Sequence, residues 1–186
     1  MSSKNHIQSK IRALKLSPNP LPEIPKFEFE GNLVEQFFTA ISGNKGEIIS
    51  QDQLIQEIEE GVYPKVYSNL PEFSSVSNQP LPEDSHELQS LDLAILKGQF
   101  GVAENGAIWF EDEDLQLRAM PFITQHLAVV LSSGNMVATM HEAYERIGNG
   151  PSGFGLFIAG PSKTADIEQS LVIGAHGARS LMVILK

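Results

Sequence analysis

The run His126-Leu127-Ala128-Val129-Val130-Leu131 is apolar at every position after the first. A continuous apolar run of this length is typical of a strand inside a parallel sheet, where both faces are buried. Leu181-Met182-Val183-Ile184-Leu185 has the same character. Helical apolar patterns at 33–43 and 136–147 accompany these runs, so we predict an α/β fold.

A β-hairpin is predicted near residues 100–110. Phe100-Gly101-Val102-Ala103 and Ala107-Ile108-Trp109-Phe110 flank Glu104-Asn105-Gly106, and Asn-Gly favours a tight turn. Asp52 can cap a helix at 53–60. Further short strands are predicted at 47–49, 66–67, 91–96 and 156–159.

Two polar segments are expected outside these elements. Residues 70–89 are rich in Pro, Ser, Asn and Glu, which predicts a long surface connection. Residues 111–114 are all acidic, and a solvated loop is expected there because adjacent carboxylates do not converge on one cation.

Residues 1–30 are predicted to form a flexible or partner-ordered arm, followed by one domain at 31–186. A short helix is predicted at 7–16, and four prolines follow between 18 and 25. The arm carries five Lys and Arg against three Glu, whereas the rest carries eight against twenty acidic residues. Because phosphate binding needs clustered cations, the acidic domain is not expected to bind nucleic acid.

Composition sets further limits on the site and the compartment. The sequence has no cysteine, which excludes disulfides, thiol nucleophiles and cysteine-ligated metals within it. Its five histidines show no His-x₃-His spacing, so no metal site is predicted. No apolar run approaches the roughly 20 residues of a membrane-spanning helix, and the start has no apolar secretory-signal region. The cytoplasm is therefore the expected compartment.

Polar groups that a core does not need lie between the strand at 156–159 and the last strand. Ser162, Lys163, Thr164 and Asp166 form the first block. A glycine-started loop and a helix beginning near Thr164 would aim free N–H groups at a crevice at the carboxyl end of the sheet. This predicts a site for phosphate or carboxylate. Plain helix capping, with Asp166 in the first turn, is equally consistent with the spacing.

The second block, Gly174-Ala175-His176-Gly177-Ala178-Arg179, precedes the last strand. His176 could act as an acid or base, or bind an anion, near neutral pH. Arg179 could clamp a carboxylate. A surface histidine, and an arginine paired with Glu168, are the alternatives.

Glu104 and Asn105 at the hairpin tip are the third candidate. A carboxylate beside an amide donor can serve as a nucleophile or general base. The alternative is that Asn105-Gly106 only forms the turn. His126 opens a buried strand and is expected to be a hydrogen-bonded structural residue rather than a metal ligand.

The blocks at 160–168 and 174–179 strongly resemble the signature of the LUD domain, the lactate-utilisation C subunit family. Ala103-Glu104-Asn105-Gly106-Ala107-Ile108 resembles a second block, with Asn105 where the family usually has Thr, and 121–130 resembles a third. The likeness covers about 31–186. It implies an open, mainly parallel twisted sheet with helices on both faces, of the NagB/RpiA/CoA-transferase-like type.

The resemblance also implies a function and partners. The family oxidises L-lactate to pyruvate alongside separate iron–sulfur and cysteine-rich subunits, so no cofactor is expected in this chain and clusters are expected only in the partners. A ligand pocket for a small carboxylate or phosphate-bearing molecule is predicted at Asn105, Gly106, Ser162, Lys163, Thr164, Asp166 and Arg179. Glu104 and His176 are the candidate catalytic residues.

Two other functions remain open. Ala103-Glu104-Asn105-Gly106 resembles the Ser-Glu-Asn-Gly motif of class I CoA-transferases, whose Glu is the nucleophile, although Ala103 replaces the Ser. This suggests acyl transfer through Glu104. The third possibility is a non-catalytic interaction or regulatory subunit that docks a partner through the arm and the connection at 70–89.

Overall fold

The structure is a computed structural model that describes residues 3–14, 20, 22–25, 27, 29–148, 153–165, 171–174 and 177–186. Within these ranges, the α-helices are α1 (Ser3–Ala13), α2 (Leu33–Gly43), α3 (Gln51–Glu59), α4 (Asp112–Leu115), α5 (Met120–Ile123) and α6 (Met140–Ile147). The strands are β1 (Glu47–Ile48), β2 (Val66–Ser68), β3 (Leu93–Lys97), β4 (Phe100–Val102), β5 (Ala107–Glu111), β6 (His126–Leu131), β7 (Met136–Val137), β8 (Gly155–Ile158), β9 (Lys163–Ala165), β10 (Leu171–Ile173) and β11 (Ser180–Leu185).

A five-stranded parallel sheet in the order β1-β11-β6-β3-β2 forms the centre of the domain. The apolar run of β6 lies in its middle strand. Leu127, Val129 and Leu131 enter the core on one face, whereas Ala128 and Val130 enter the core on the other. Both faces are buried because helices cover them, and strand β5 also packs on the face that carries Leu127. This explains why β6 shows no polar alternation, and it confirms the predicted strand.

Helices lie on both faces of this sheet, as predicted. Phe37 and Ile41 of α2 are fully buried in the core on the Leu127 face of the sheet. Leu54 and Ile58 of α3 pack into the core on the opposite face. The helix predicted at 33–43 is confirmed. None of the helices in the described ranges has the length and apolar character needed to cross a membrane.

A second sheet, in the order β7-β4-β5-β8, contains the predicted hairpin. Strands β4 and β5 pair antiparallel around the turn at 103–106. Gly106 has a φ of +70°, and a Cβ there would lie 2.8 Å from the backbone nitrogen of Ile41. The glycine is therefore required both by the turn and by the close approach of α2.

Several predicted boundaries are wrong. The helix predicted from residue 136 begins at Met140, because Met136–Val137 pairs with β4 and the hydroxyl of Thr139 caps the helix. Ser50, rather than Asp52, caps α3, since its hydroxyl accepts a hydrogen bond from the Gln53 amide at 3.0 Å.

The two polar segments are more ordered than predicted. The acidic stretch forms the short helix α4, which Glu111 begins with a capping box. The connection at 70–89 contains 3₁₀ turns at Pro71–Phe73 and Ser85–Ser90, and Phe73 and Leu88 are fully buried. These two side chains anchor the connection to the domain. In the arm, α1 exposes all of its residues, and the ring of Phe27 lies 4.9 Å from that of His141.

Candidate functional site

The block that begins at Gly160 forms a strand where a helix was predicted. Lys163–Ala165 pairs antiparallel with Leu171–Ile173, so β9 and β10 make a two-stranded ribbon. The predicted helix beginning near Thr164 is therefore wrong, because Lys163–Ala165 is a strand, and the anion site argued from that helix start loses its support. Asp166, Glu168 and His176 lie outside the described residues.

The two glycine-containing blocks meet in the structure. The amide of Ser162 donates to the carbonyl oxygen of Ala178 at 2.9 Å, and the carbonyl oxygen of Ser162 accepts from the Gly174 amide at 2.9 Å. The block at 160–163 follows β8 of the second sheet, whereas Ala178 precedes β11 of the central sheet. The meeting point is thus at the amino end of β11 and β6. The prediction of a site at the carboxyl ends of the strands is wrong for this pair of blocks.

A cavity of about 280 Å³, the Ser162 cavity, lies between the two sheets at this point. Its lining consists mainly of apolar groups: Pro121, Phe122, Leu127, Phe157, Ile158, Ala159, Gly160, Pro161, Ser162, Gly177, Ala178 and Leu181. Ser162 supplies the hydroxyl in this set. Lys163 and Arg179 each follow a lining residue in the chain and are exposed. The described part of the cavity can therefore hold a small, partly apolar molecule.

Asn44 joins the hairpin tip to the first block, and no sequence pattern pointed to this residue. Its side-chain amide donates to the carbonyl oxygen of Asn105 at 2.6 Å, and its Oδ1 accepts from Lys163 Nζ at 3.3 Å. A Cβ on Gly160, whose φ is +95°, would lie 2.4 Å from the Asn44 carbonyl oxygen. The structure thus links Asn105 and Lys163, two residues of the predicted pocket, through a third residue.

Glu104 points to a different place. Its Oε2 accepts a hydrogen bond of 2.8 Å from the amide of Met140, the first residue of α6. It lines a separate cavity of about 180 Å³ with Phe27, Phe29, Gln36, Ala138, Thr139 and His141. The carboxylate satisfies a free N–H at a helix start, which is a structural role. Glu104 is not part of the lining of the Ser162 cavity.

His126 is hydrogen-bonded, as predicted. Its Nδ1 lies 2.7 Å from the hydroxyl of Ser180, the residue opposite it on β11, and its ring packs edge-on against Tyr63. Burial lowers the pKa of His126, the positive charge of Arg179 lowers it further, and Asp92 partly opposes both. The backbone amide of Arg179 donates to Gln125 at 2.8 Å, which holds this residue beside His126.

Comparison with known proteins agrees with the fold and the motifs. The LUD domain model matches residues 47–185. "Lactate utilization protein C" of Shouchella clausii is 28% identical over 113 residues, covering 58% of this chain and 49% of that protein. The protein of the same name from Geobacillus kaustophilus is 31% identical over 96 residues, covering 48% and 40%. The matches thus span half or less of the length of these curated relatives.

A solved structure shows the same fold. The crystal structure of a DUF162 family protein from Deinococcus radiodurans superposes with a TM-score of 0.61 over 82% of this chain and 95% of that one, at 19% identity.

Proposed function

This chain belongs to the LUD domain family, and on that premise we propose that it is a subunit of a lactate-utilisation system that oxidises L-lactate to pyruvate. The observation that carries the proposal is the family match over 47–185, together with relatives named lactate utilization protein C at about 30% identity. Because the chain spans only about half the length of those relatives, the reaction and the partners are part of the proposal.

The Ser162 cavity is the proposed binding place for the small carboxylate. Its apolar walls suit the methyl group of lactate, and the Ser162 hydroxyl can exchange a hydrogen bond with the substrate hydroxyl or carboxylate. Lys163 and Arg179, exposed cations that each follow a lining residue in the chain, are proposed to supply the charge that a carboxylate needs. His176, adjacent to Gly177 in the chain, is the proposed proton acceptor.

The electrons need an acceptor outside this chain. Oxidation of lactate to pyruvate removes two electrons and two protons. We propose that the electrons pass to iron–sulfur clusters in partner subunits, because this sequence has no cysteine to hold a cluster of the usual kind. The partners are accordingly iron–sulfur and cysteine-rich lactate-utilisation subunits.

Reconstitution tests the proposal. L-Lactate-dependent reduction of a dye is measured with the two partner subunits, with and without this chain. We expect activity only when the chain is present, and a reduced rate with Ser162→Ala. Ser74→Ala, at an exposed position away from the cavity, is the matched control. Full activity without the chain would show that it has no part in the oxidation.

A further inference from the structure

Another cavity, which contains two lysines, lies at the opposite end of the central sheet. It has a volume of about 260 Å³ and is formed where β3, β6 and β11 end. Its lining combines two cations with an apolar floor and one carboxylate: Leu70, Pro71, Glu72, Lys97, Val130, Ser132 and Lys186. This is the carboxyl edge of the parallel strands, where ligands of open α/β sheets commonly bind. None of the sequence motifs pointed to these residues.

Strand register places the two lysines on one face of the sheet. Lys97 pairs with Val130, and Val130 pairs with Ile184. Since side chains alternate along a strand, Lys186, two residues after Ile184, lies on the same face as Lys97. Their strands flank β6 and are therefore about 10 Å apart, with Val130 between them. The backbone amide of Lys186 donates to Leu131 at 2.9 Å, which continues the pairing to this residue.

One of these cations already holds a carboxylate. Lys186 Nζ lies 2.7 Å from Oε1 of Glu72. The hydrogen bond from Lys186 lowers the pKa of Glu72, and the charge of Lys97 acts in the same direction. Among the residues that the structure describes, Lys97 makes no ion pair of its own. The cavity thus shows carboxylate–lysine recognition in place, with a second ammonium group left to engage an anion.

Another carboxylate can displace Glu72 from Lys186. Both side chains are partly exposed, at 31% and 42%, so the pair is held only weakly against competition from solvent and other ions. Glu72 belongs to the 3₁₀ turn Pro71–Phe73, which the buried Phe73 anchors. The turn can therefore stay in place while the Glu72 side chain leaves Lys186.

We propose that this cavity is a binding site for a small organic carboxylate, held between Lys97 and Lys186, with Glu72 as the competing carboxylate of the chain itself. The site is independent of the proposed lactate function and of the Ser162 cavity. Its apolar floor, Leu70 and Val130, favours an organic anion over inorganic phosphate. A dicarboxylate can engage both ammonium groups and should bind more tightly than a monocarboxylate.

Calorimetric titration of the full chain at low ionic strength tests this site, since salt screens exposed charges. Succinate, acetate and inorganic phosphate are the probes. We expect succinate to bind most tightly, and Lys97→Gln or Lys186→Gln to weaken it by about tenfold, the loss of one charge-assisted hydrogen bond. Glu72→Gln should tighten binding several-fold by removing the competitor. Lys65→Gln, at the amino edge of the same sheet, is the matched control and should have no effect.

Three outcomes would overturn the proposal. The first is that neither the wild type nor Glu72→Gln binds succinate saturably. The second is binding that neither lysine variant weakens while both keep the wild-type melting temperature. The third is phosphate binding at these lysines as tightly as succinate, which would remove the organic selectivity.

Discussion

The side-chain amide of Asn44 donates a 2.6 Å hydrogen bond to the carbonyl oxygen of Asn105, across 61 residues of sequence. The other end of the same amide accepts from Lys163. The end of α2 therefore holds the hairpin tip and the first glycine-containing block at fixed positions. The pairing of β5 with β8 brings these two motifs together although they are far apart in the sequence, and Asn44 adds a direct link between them.

Replacing Asn44 by Ala should destabilise the domain. The substitution leaves the partly buried carbonyl oxygen of Asn105 without its donor, which costs about 1–2 kcal/mol of unfolding free energy. Chemical denaturation measures the change. Asn69→Ala, at an exposed position, is the control and should stay close to the wild type. Equal stability of the two variants would show that the bridge contributes nothing.

Gly160→Ala should destabilise the domain more than Asn44→Ala does. The residue has a φ of +95°, and its new Cβ would lie 2.4 Å from the Asn44 carbonyl oxygen, so the backbone itself must move. We expect a loss of about 2 kcal/mol or more, or failure to fold. Gly134→Ala is the matched control, because the nearest atom to its Cβ would be 3.8 Å away. The prediction fails if the two variants unfold at the same denaturant concentration.

Glu104→Ala should lower the melting temperature by about 2–4 °C, because the amide of Met140 loses its acceptor at the start of α6. Glu104→Gln keeps an acceptor oxygen and should lose less. Thermal unfolding by circular dichroism distinguishes them. A larger loss for Gln than for Ala would contradict the capping role.

The same contact bears on acyl transfer. A carboxylate that caps a helix and lies outside the lining of the Ser162 cavity is poorly placed as a nucleophile there. Incubation with acetyl-CoA and succinyl-CoA, followed by intact-mass measurement, should show no covalent adduct. An adduct that disappears in Glu104→Gln would instead establish CoA-transferase-like chemistry.

His126 should make the domain less stable in mild acid. Its pKa is lower in the folded chain than in the unfolded one, so the unfolded chain binds the proton more readily. Stability should therefore fall as the pH drops below the unfolded value of about 6.5. In His126→Asn this fall should be shallower in denaturation curves between about pH 5 and 7.

His6→Asn, in the exposed helix α1, is the control for removing a histidine. An identical slope in the wild type and His126→Asn would mean that the half-buried ring of His126 is not responsible.

The local sequence pattern predicted correctly those elements whose structure depends mainly on their own residues. The apolar run of β6 and the Asn-Gly turn predicted the middle strand and the hairpin correctly. The prediction at Thr164 failed because the strand there depends on pairing with β10, a contact that helix-start rules do not consider. The site was placed at the wrong edge of the sheet because β8 joins the second sheet through β5, and nothing in its own residues shows which sheet it will join.

No sequence pattern indicated the residues whose role depends on contacts with distant parts of the chain. Asn44 follows an ordinary helix end, and Lys97 and Lys186 are single lysines at the ends of strands separated by most of the domain. Only the strand order brings the two lysines to either side of β6. Such clusters of side chains can be predicted only when the complete strand order is known.

The alternation of side chains along β6 also separates the Ser162 cavity from the cavity lined by Lys97 and Lys186. Leu127 lines the first cavity from one face near the start of the strand, and Val130 lines the second from the opposite face near its end. The close-packed strand lies between these two cavities, and no residue that the structure describes lines both of them. A molecule bound in one of them therefore touches none of the described residues that line the other, so two ligands held there would not compete for the same atoms.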